Sequence, residues 1–586
     1  MSIRPILIEP SRAPGMLRHL TSTLEHPLMW RRADPAGGVL AWVPSRLIPS
    51  RVGQLAAIWR RTITALLWGG SVAFACITLR DAWDARLIVP FWDEWDLLTV
   101  HRYITQSGDV FAELWTPYNG HYEPIPRLLF LARDLLLGGD AIALIAACLV
   151  LQGALIGIIV AAFLREPGLR GSVLQPVLIA ASIVSLTWTV QMENFNWSVQ
   201  ITFVLPAFLT VASIAIVSWR PRGAPIDWPI VTAAVMAVAA CLSLGAGLAL
   251  WPALFVIALR QRRGAQALIV TGLGAVVSIV PHWLTAEASA TPMMVLTRPI
   301  EMLLFVCRYL PPLYIRDDIR VLLGALLIGL GVFAVAYGLT RRGGNRLGDL
   351  AVGLIAFGLC VAVLTAVARA EIAVPASSRY MAFSSLYWVG LLAFGGSLAT
   401  VRDWRVARWA VYGALLFGLE PVMTIQTVAD EPFVQRADKA TAAVLSMVAG
   451  TPDEDAIASD LHPDPQVPIG LLPFLRKHEY GFFGNRLVRA IGHPATLAFP
   501  IQTAPCAARV EVEVRDGGLR VSGRYATENG PRWLVITGPK GNIRGLAARE
   551  RRGDRIVGYA PTVARGALFG VAGGSLCLAG LFEAPS

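Results

Sequence analysis

Apolar runs of about 20 residues recur along most of this 586-residue chain, and a run of that length is what a helix needs to cross the hydrocarbon core of a bilayer. They lie near 62–80, 140–163, 172–190, 198–218, 228–244, 247–260, 265–284, 319–340, 348–368, 380–400 and 406–427, about eleven in all. Hydrophobic residues make up 55% of the chain and charged residues only 16%, a balance outside the range of soluble globular domains. The expected fold is an all-α polytopic membrane body.

Arginines orient the runs, because short loops rich in Arg or Lys stay on the cytoplasmic side. Arg165/Arg170, Arg220/Arg222, Arg260/Arg262/Arg263, Arg341/Arg342/Arg346 and Arg402/Arg405/Arg408 each follow an even-numbered run. The segment 1–61 is also Arg-rich and lacks the apolar core and cleavage site of a signal peptide, so it reads as a cytoplasmic tail. This places 81–139 outside the cytoplasm, where nine acids face four arginines. The net charge of +11 sits in the tail and cytoplasmic connectors, where anionic headgroups account for it. No basic patch interleaved with aromatics occurs, which argues against a nucleic-acid partner.

Beyond 428 the pattern changes. Residues 429–504 carry acids and prolines and read as a helical or irregular linker region. Arg509-Val-Glu-Val-Glu-Val514 and Trp533-Leu-Val-Ile-Thr537 alternate as strands do, and Gly517-Gly518, Asn529-Gly530 and Lys540-Gly541 supply turns. Residues 505–586 therefore read as a small β-sandwich-like domain. Cys506 and Cys577 both fall in this C-terminal region, outside the cytoplasm on the topology above, where a disulfide can form; their pairing stays open. No zinc-like Cys/His spacing is present.

Polar groups able to do chemistry concentrate outside the runs. In Phe91-Trp-Asp-Glu-Trp-Asp96, the carboxylates Asp93, Glu94 and Asp96 could supply a general base with a neighbour to tune it, or simply open a helix after Pro90. Trp92 and Trp95 suit an interfacial belt or a sugar-stacking platform. His121, Glu123 and Arg127 follow in the same loop; the first two could orient an acceptor or join a divalent-metal site, a reading not favoured here. Thr189-Val-Gln-Met-Glu-Asn-Phe-Asn-Trp197, with Glu193 and Asn194, is costly to bury unless it meets a polar cavity, and is otherwise a solvated turn. Arg369, Glu371, Arg379 and Tyr380 form an external loop whose guanidinium groups suit bidentate capture of a phosphate, or plain headgroup contacts. Ser243-Leu-Gly-Ala-Gly-Leu-Ala-Leu-Trp-Pro252 reads as a close-packed turn of small residues.

The layout of residues 60–430 resembles the class C glycosyltransferases (GT-C), with a first run followed by a long external loop bearing an early acidic motif, and a C-terminal domain outside the cytoplasm. The blocks FWDEWD, NGHYEPIPRL, QMENFNWSVQ, LWPA and SSRY look like a group of bacterial GT-C-like membrane proteins. The resemblance implies a bacterial inner-membrane enzyme with a cytoplasmic N-terminus and a periplasmic C-terminal domain. It implies an inverting transfer from a polyprenyl-phosphate-linked sugar donor to an envelope glycan, lipid or protein acceptor. A carboxylate of the first loop, Asp93 or Glu94 here, would act as base, and Arg127, Arg369 or Arg379 would support the departing phosphate. No cofactor is called for with certainty. Two rival readings are a flippase of lipid-linked saccharide, against which the lack of internal repeats counts, and a non-catalytic glycan-binding envelope subunit.

Overall fold

The computed structural model describes residues 50–116, 122–219, 228–284, 297–311, 316–341, 345–369, 377–400, 431–500, 506, 508–515, 518–525 and 530–584. Residues 63–586 form one compact unit, and of the first 62 the described part is the opening of α1. The helices are α1 (Ser50–Asp84), α2 (Asp93–Ser107), α3 (Val110–Trp115), α4 (Pro124–Leu136), α5 (Ala141–Arg165), α6 (Leu174–Leu186), α7 (Met192–Asn196), α8 (Ile201–Trp219) and α9 (Trp228–Cys241). They continue as α10 (Leu250–Arg260), α11 (Ala265–Leu284), α12 (Pro299–Tyr309), α13 (Asp317–Thr340), α14 (Arg346–Arg369) and α15 (Met381–Thr400). After 430 come α16 (Glu431–Ala449), α17 (Glu454–Asp460), α18 (Gln466–Lys477), α19 (Arg486–Arg489) and α20 (Ala495–Ala498).

Among the described residues, seven helices are long and apolar enough to cross a membrane: Ala57–Asp84, Ala141–Arg165, Leu174–Asn196, Ser198–Trp219, Asp317–Thr340, Arg346–Arg369 and Ser378–Thr400. Trp228–Cys241, Gly245–Arg260 and Ala265–Val280 are apolar but shorter, and the expected run at 406–427 lies outside the described residues. The expected spans at 228–244 and 247–260 are kept apart by a 3-10 turn, Gly245–Ala249, that folds back on α9. Gly247 permits this return: a Cβ there would collide with the Ala240 carbonyl. The bundle core joins α5, α8, α10, α14 and α15 through residues such as Ile159, Ile214, Leu254, Leu354, Phe357 and Phe383. Leu66, Val72, Leu273, Val277, Leu322 and Leu326 stay exposed, as lipid-facing side chains do.

The C-terminal strands are β1 (Ala508–Arg515), β2 (Gly518–Tyr525), β3 (Trp533–Thr537), β4 (Ile543–Arg549), β5 (Arg555–Pro561), β6 (Arg565–Ala572) and β7 (Ser575–Glu583). The expected β-sandwich is instead one antiparallel seven-stranded sheet in the order β1-β2-β5-β4-β3-β6-β7. Its two edges meet, since the Cys506 N–H donates to the Leu578 carbonyl at 3.2 Å and a disulfide joins Cys506 to Cys577. Rolling the sheet in this barrel-like way protects edges that a flat sheet would expose. Alternation still governs it: Leu534 and Ile536 enter one core with Val521, Ile556 and Leu568, while Val535 faces another with Leu546, Tyr559 and α16.

That second core is what joins the parts. Val89, Phe91, Trp95 and Leu98 from the first loop pack in one cluster with Trp197, Val199 and Ile201, with Ala440, Val444 and Val448 of α16, and with Leu471, Leu475, Phe482 and Val535. Polar ties reinforce it. Arg133 donates to Glu94 Oε1 (2.5 Å), to Asp134 Oδ1 (2.7 Å) and to the Tyr480 hydroxyl (2.5 Å), and Tyr480 in turn donates to Asp134. Gly139 has φ +77°, and a Cβ there would strike the Tyr480 ring. On the other side the Arg551 N–H donates to Asp438 Oδ2 (2.9 Å), and Arg551 Nη1 donates to the Asp84 carbonyl (2.6 Å). Burial drags the Arg551 guanidinium down to about 9 and pushes the Asp438 carboxyl up.

Arg133 and Glu94 are each 2% exposed, so removing one leaves a buried uncompensated charge. Arg133→Met is expected to cost about 3–5 kcal/mol, read as a lower unfolding midpoint of the detergent-solubilised protein. A midpoint equal to wild type would remove the network from the account of stability.

Candidate functional site

Between the first loop, the bundle and the C-terminal helices lies a cavity of about 990 Å³. Its polar wall contains Asp93, Glu123, Glu193, Arg369, Arg379, Tyr380, Arg436, Lys439 and Asp460, and its apolar wall includes Phe203, Leu244, Leu248, Leu364, Val367 and Phe383. Charged groups therefore border a surface of the kind that accepts a hydrocarbon chain.

Local geometry explains which residue of FWDEWD enters. Trp92 has φ +45°, an unusual value for a non-glycine residue, and its N–H donates to the Leu461 carbonyl at 2.7 Å. This kink starts α2 at Asp93, and the first helical position lines the cavity. Successive residues turn about 100° around a helix. Glu94 consequently points to Arg133 in the buried network, Trp95 is fully buried in the joining core, and Asp96 lies 3.5 Å from His462. None of these three lines the cavity, whereas the half-exposed Trp92 does.

Glu123 caps the start of α4 without a side-chain capping bond. Its carboxyl is pushed up to about 8, first by burial; Arg127 and Arg369 pull it down and Asp93 pushes it further up. Asp93, on the same cavity wall, thus opposes its ionisation. Arg127 itself is buried and donates to the Glu113 carbonyl, outside the cavity wall.

The opposite wall is stitched by the connector before α8. The Glu193 N–H donates to Ser378 Oγ (3.3 Å), which donates to the Val190 carbonyl (2.6 Å). Asn194 Nδ2 donates to the carbonyls of Ser378 and Arg379, each at 3.3 Å. Asn194 thus sets the turn that carries Arg379 and Tyr380 to the cavity, and is not on the wall itself. Arg369 arrives from the end of α14. His121, a candidate for orienting the acceptor, and the loop acid Glu371 lie outside the described residues, and among the described residues no group of three His, Cys, Asp or Glu side chains could hold a metal ion.

Two contributors were not singled out from sequence. Pro432, Gln435, Arg436 and Lys439 line the cavity at positions i, i+3, i+4 and i+7 of α16, one face of a helix whose other face is the joining core. Arg436 Nη1 lies 3.8 Å from Glu193 Oε1, and its guanidinium stacks 5.6 Å from the Phe91 ring centre. That 3.6-residue polar pattern was readable, but nothing local says what it faces. Trp197 and Gln200 also line the cavity, from inside a block whose polarity was noted. No protein-family model, no curated protein and no solved structure matches this chain.

A carboxyl whose folded value is near 8 against an ordinary 4.5 keeps a proton that the unfolded chain releases, so its contribution favours folding less as pH rises across that window. Unfolding midpoints of wild type are expected to fall between pH 5 and 8 by more than those of Glu123→Gln. Parallel pH profiles for the two proteins would contradict the protonated state of Glu123.

Proposed function

We propose that this chain is a GT-C-type membrane glycosyltransferase that moves a sugar from a polyprenyl-phosphate donor to an envelope glycan, lipid or protein acceptor. The observation that carries the reading is a single cavity joining Asp93, Glu123, the guanidinium groups of Arg369 and Arg379, and an apolar wall. Each part has a task. The polyprenyl chain lies along Phe203, Leu244, Leu364 and Val367, and the phosphate meets Arg369 and Arg379, whose planar donors match its oxygens.

In the transfer, Asp93 takes the proton of the acceptor hydroxyl as its oxygen bonds to the anomeric carbon. The bond from that carbon to the phosphate oxygen breaks, its electron pair leaves with the polyprenyl phosphate, and configuration inverts. The guanidinium pair stabilises the charge that grows on the leaving group. Glu123 donates its proton in a hydrogen bond to the bound donor.

The eleven-crossing topology belongs to the same proposal, with seven long helices, three shorter ones and the run at 406–427. On this reading the chain sits in a bacterial inner membrane; the Arg-rich connectors support a cytoplasmic N-terminus, and the Cys506–Cys577 disulfide supports a periplasmic C-terminal domain.

The test is transfer by purified protein from a panel of polyprenyl-phosphate sugars to envelope acceptors. Asp93→Asn is expected to lower the rate about 10²–10⁴-fold with an unchanged unfolding midpoint. Glu94→Gln should instead lower the midpoint, because it weakens the Arg133 network. Wild-type turnover in Asp93→Asn would sink the assignment of the base. Passage of labelled lipid-linked saccharide across liposomes without donor consumption would replace the enzyme with a transporter.

A further inference from the structure

The connector from Thr187 to Thr202 is buried throughout, yet it is among the most polar stretches of the bundle. Half of its side-chain donors are used inside the protein. Gln191 donates to the Ser185 and Leu186 carbonyls, Asn196 to Ala85, Asn194 to Ser378 and Arg379, and Thr202 to Val199. Gln200 is different. It has no exposed surface, and among the described residues it is the only side chain with two buried polar atoms that both have no partner. The Trp197 indole N–H, on a residue 2% exposed, also has none. Trp188 Nε1, Thr189 Oγ1, Asn194 Oδ1 and Ser198 Oγ are unpartnered in the same connector, but they are not on the cavity wall, and Asn194 already donates twice. Trp197 and Gln200 are on it.

An unpaired buried amide costs about 1–3 kcal/mol, so one that borders a cavity without opening onto it gains its partner when the side chain turns toward a ligand there. The ligand's chemistry follows from the groups. A carboxamide presents donors and an acceptor side by side, which matches two adjacent hydroxyls, one accepting and one donating. An indole N–H donates only and adds a third hydroxyl. None of these groups carries charge, so the ring they read is neutral. Position agrees, because the Trp197 ring lies 5.3 Å from that of Phe91, two residues before Asp93.

We propose that Trp197 and Gln200 form a sugar-reading subsite in which the Gln200 amide grips a vicinal diol of a neutral hexose and the Trp197 N–H bonds a further hydroxyl. This rests on the glycosyl-transfer reading for the identity of the lipid-linked ligand, but its test needs no turnover. The probes are farnesyl phosphate, farnesyl-phosphate glucose, mannose and galactose, and the farnesyl-phosphate uronic acids, bound to the full chain in detergent without acceptor. At least one hexose lipid is expected to bind about tenfold more tightly than farnesyl phosphate, and its uronic acid no better than farnesyl phosphate. In Gln200→Leu the tenfold preference should vanish while farnesyl phosphate binds as before, and Trp197→Phe should lose a smaller part of it.

Retention of the hexose preference in Gln200→Leu would overturn the subsite, as would the absence of any preference in wild type. If Gln200→Leu does not fold, the volume-matched Gln200→Met replaces it with the same two readings. A hexose preference that vanishes in Gln200→Leu, in a wild-type protein that transfers sugar to no acceptor, would leave the subsite standing and remove only the enzymatic reading.

Discussion

Arg133 is the charge on which the rest depends. Its guanidinium lies in α4 and ties two other pieces of chain to it, Glu94 at the start of α2 and Tyr480 after α18, while also bonding its own neighbour Asp134. A buried guanidinium is tolerable only with its donors matched. Once Glu94 is committed to that task, the helical turn leaves Asp93 on the other side, where the cavity is. The carboxylate of the buried network and the one on the cavity wall are adjacent in sequence because a single turn of helix presents both directions.

The apolar core around Trp95, Val199 and Val444 makes the same point in another currency. It removes the first loop, the buried connector and α16 from water as one unit, so the cavity between them has rigid walls. Rigid walls matter to charge as well as to shape. Burial pushes the Glu123 carboxyl up at the cavity and the Arg551 guanidinium down beside α16.

Much of the architecture could be read along the chain. Run length and the near-absence of charge mark the long helices, and period-two alternation marks β1 and β3 where they occur. Roll and closure of the sheet could not be read, because the meeting of β1 with β7 joins segments about 70 residues apart and no local pattern encodes it. The site divided in the same way. Asp93, Glu123, Arg369, Arg379 and Tyr380 carried a visible signal, as polar groups at the ends of apolar runs, and they do share one cavity. Trp95, Asn194 and Arg127 carried the same signal and lie off the cavity wall, in buried packing or in bonds to neighbouring backbone.

What the sequence determined by itself is therefore the medium and the inventory: helices that need a bilayer, strands that alternate, and a set of carboxylates and arginines too costly to bury in hydrocarbon. Those follow from transfer free energies and periodicity, which act residue by residue. The tertiary structure decided which carboxylate faces the cavity, that α16 supplies Arg436 and Lys439 to it, and that Gln200 is left without a partner inside it. Those facts depend on which surfaces meet, and a contact between residues hundreds of positions apart has no signature in either one's neighbours.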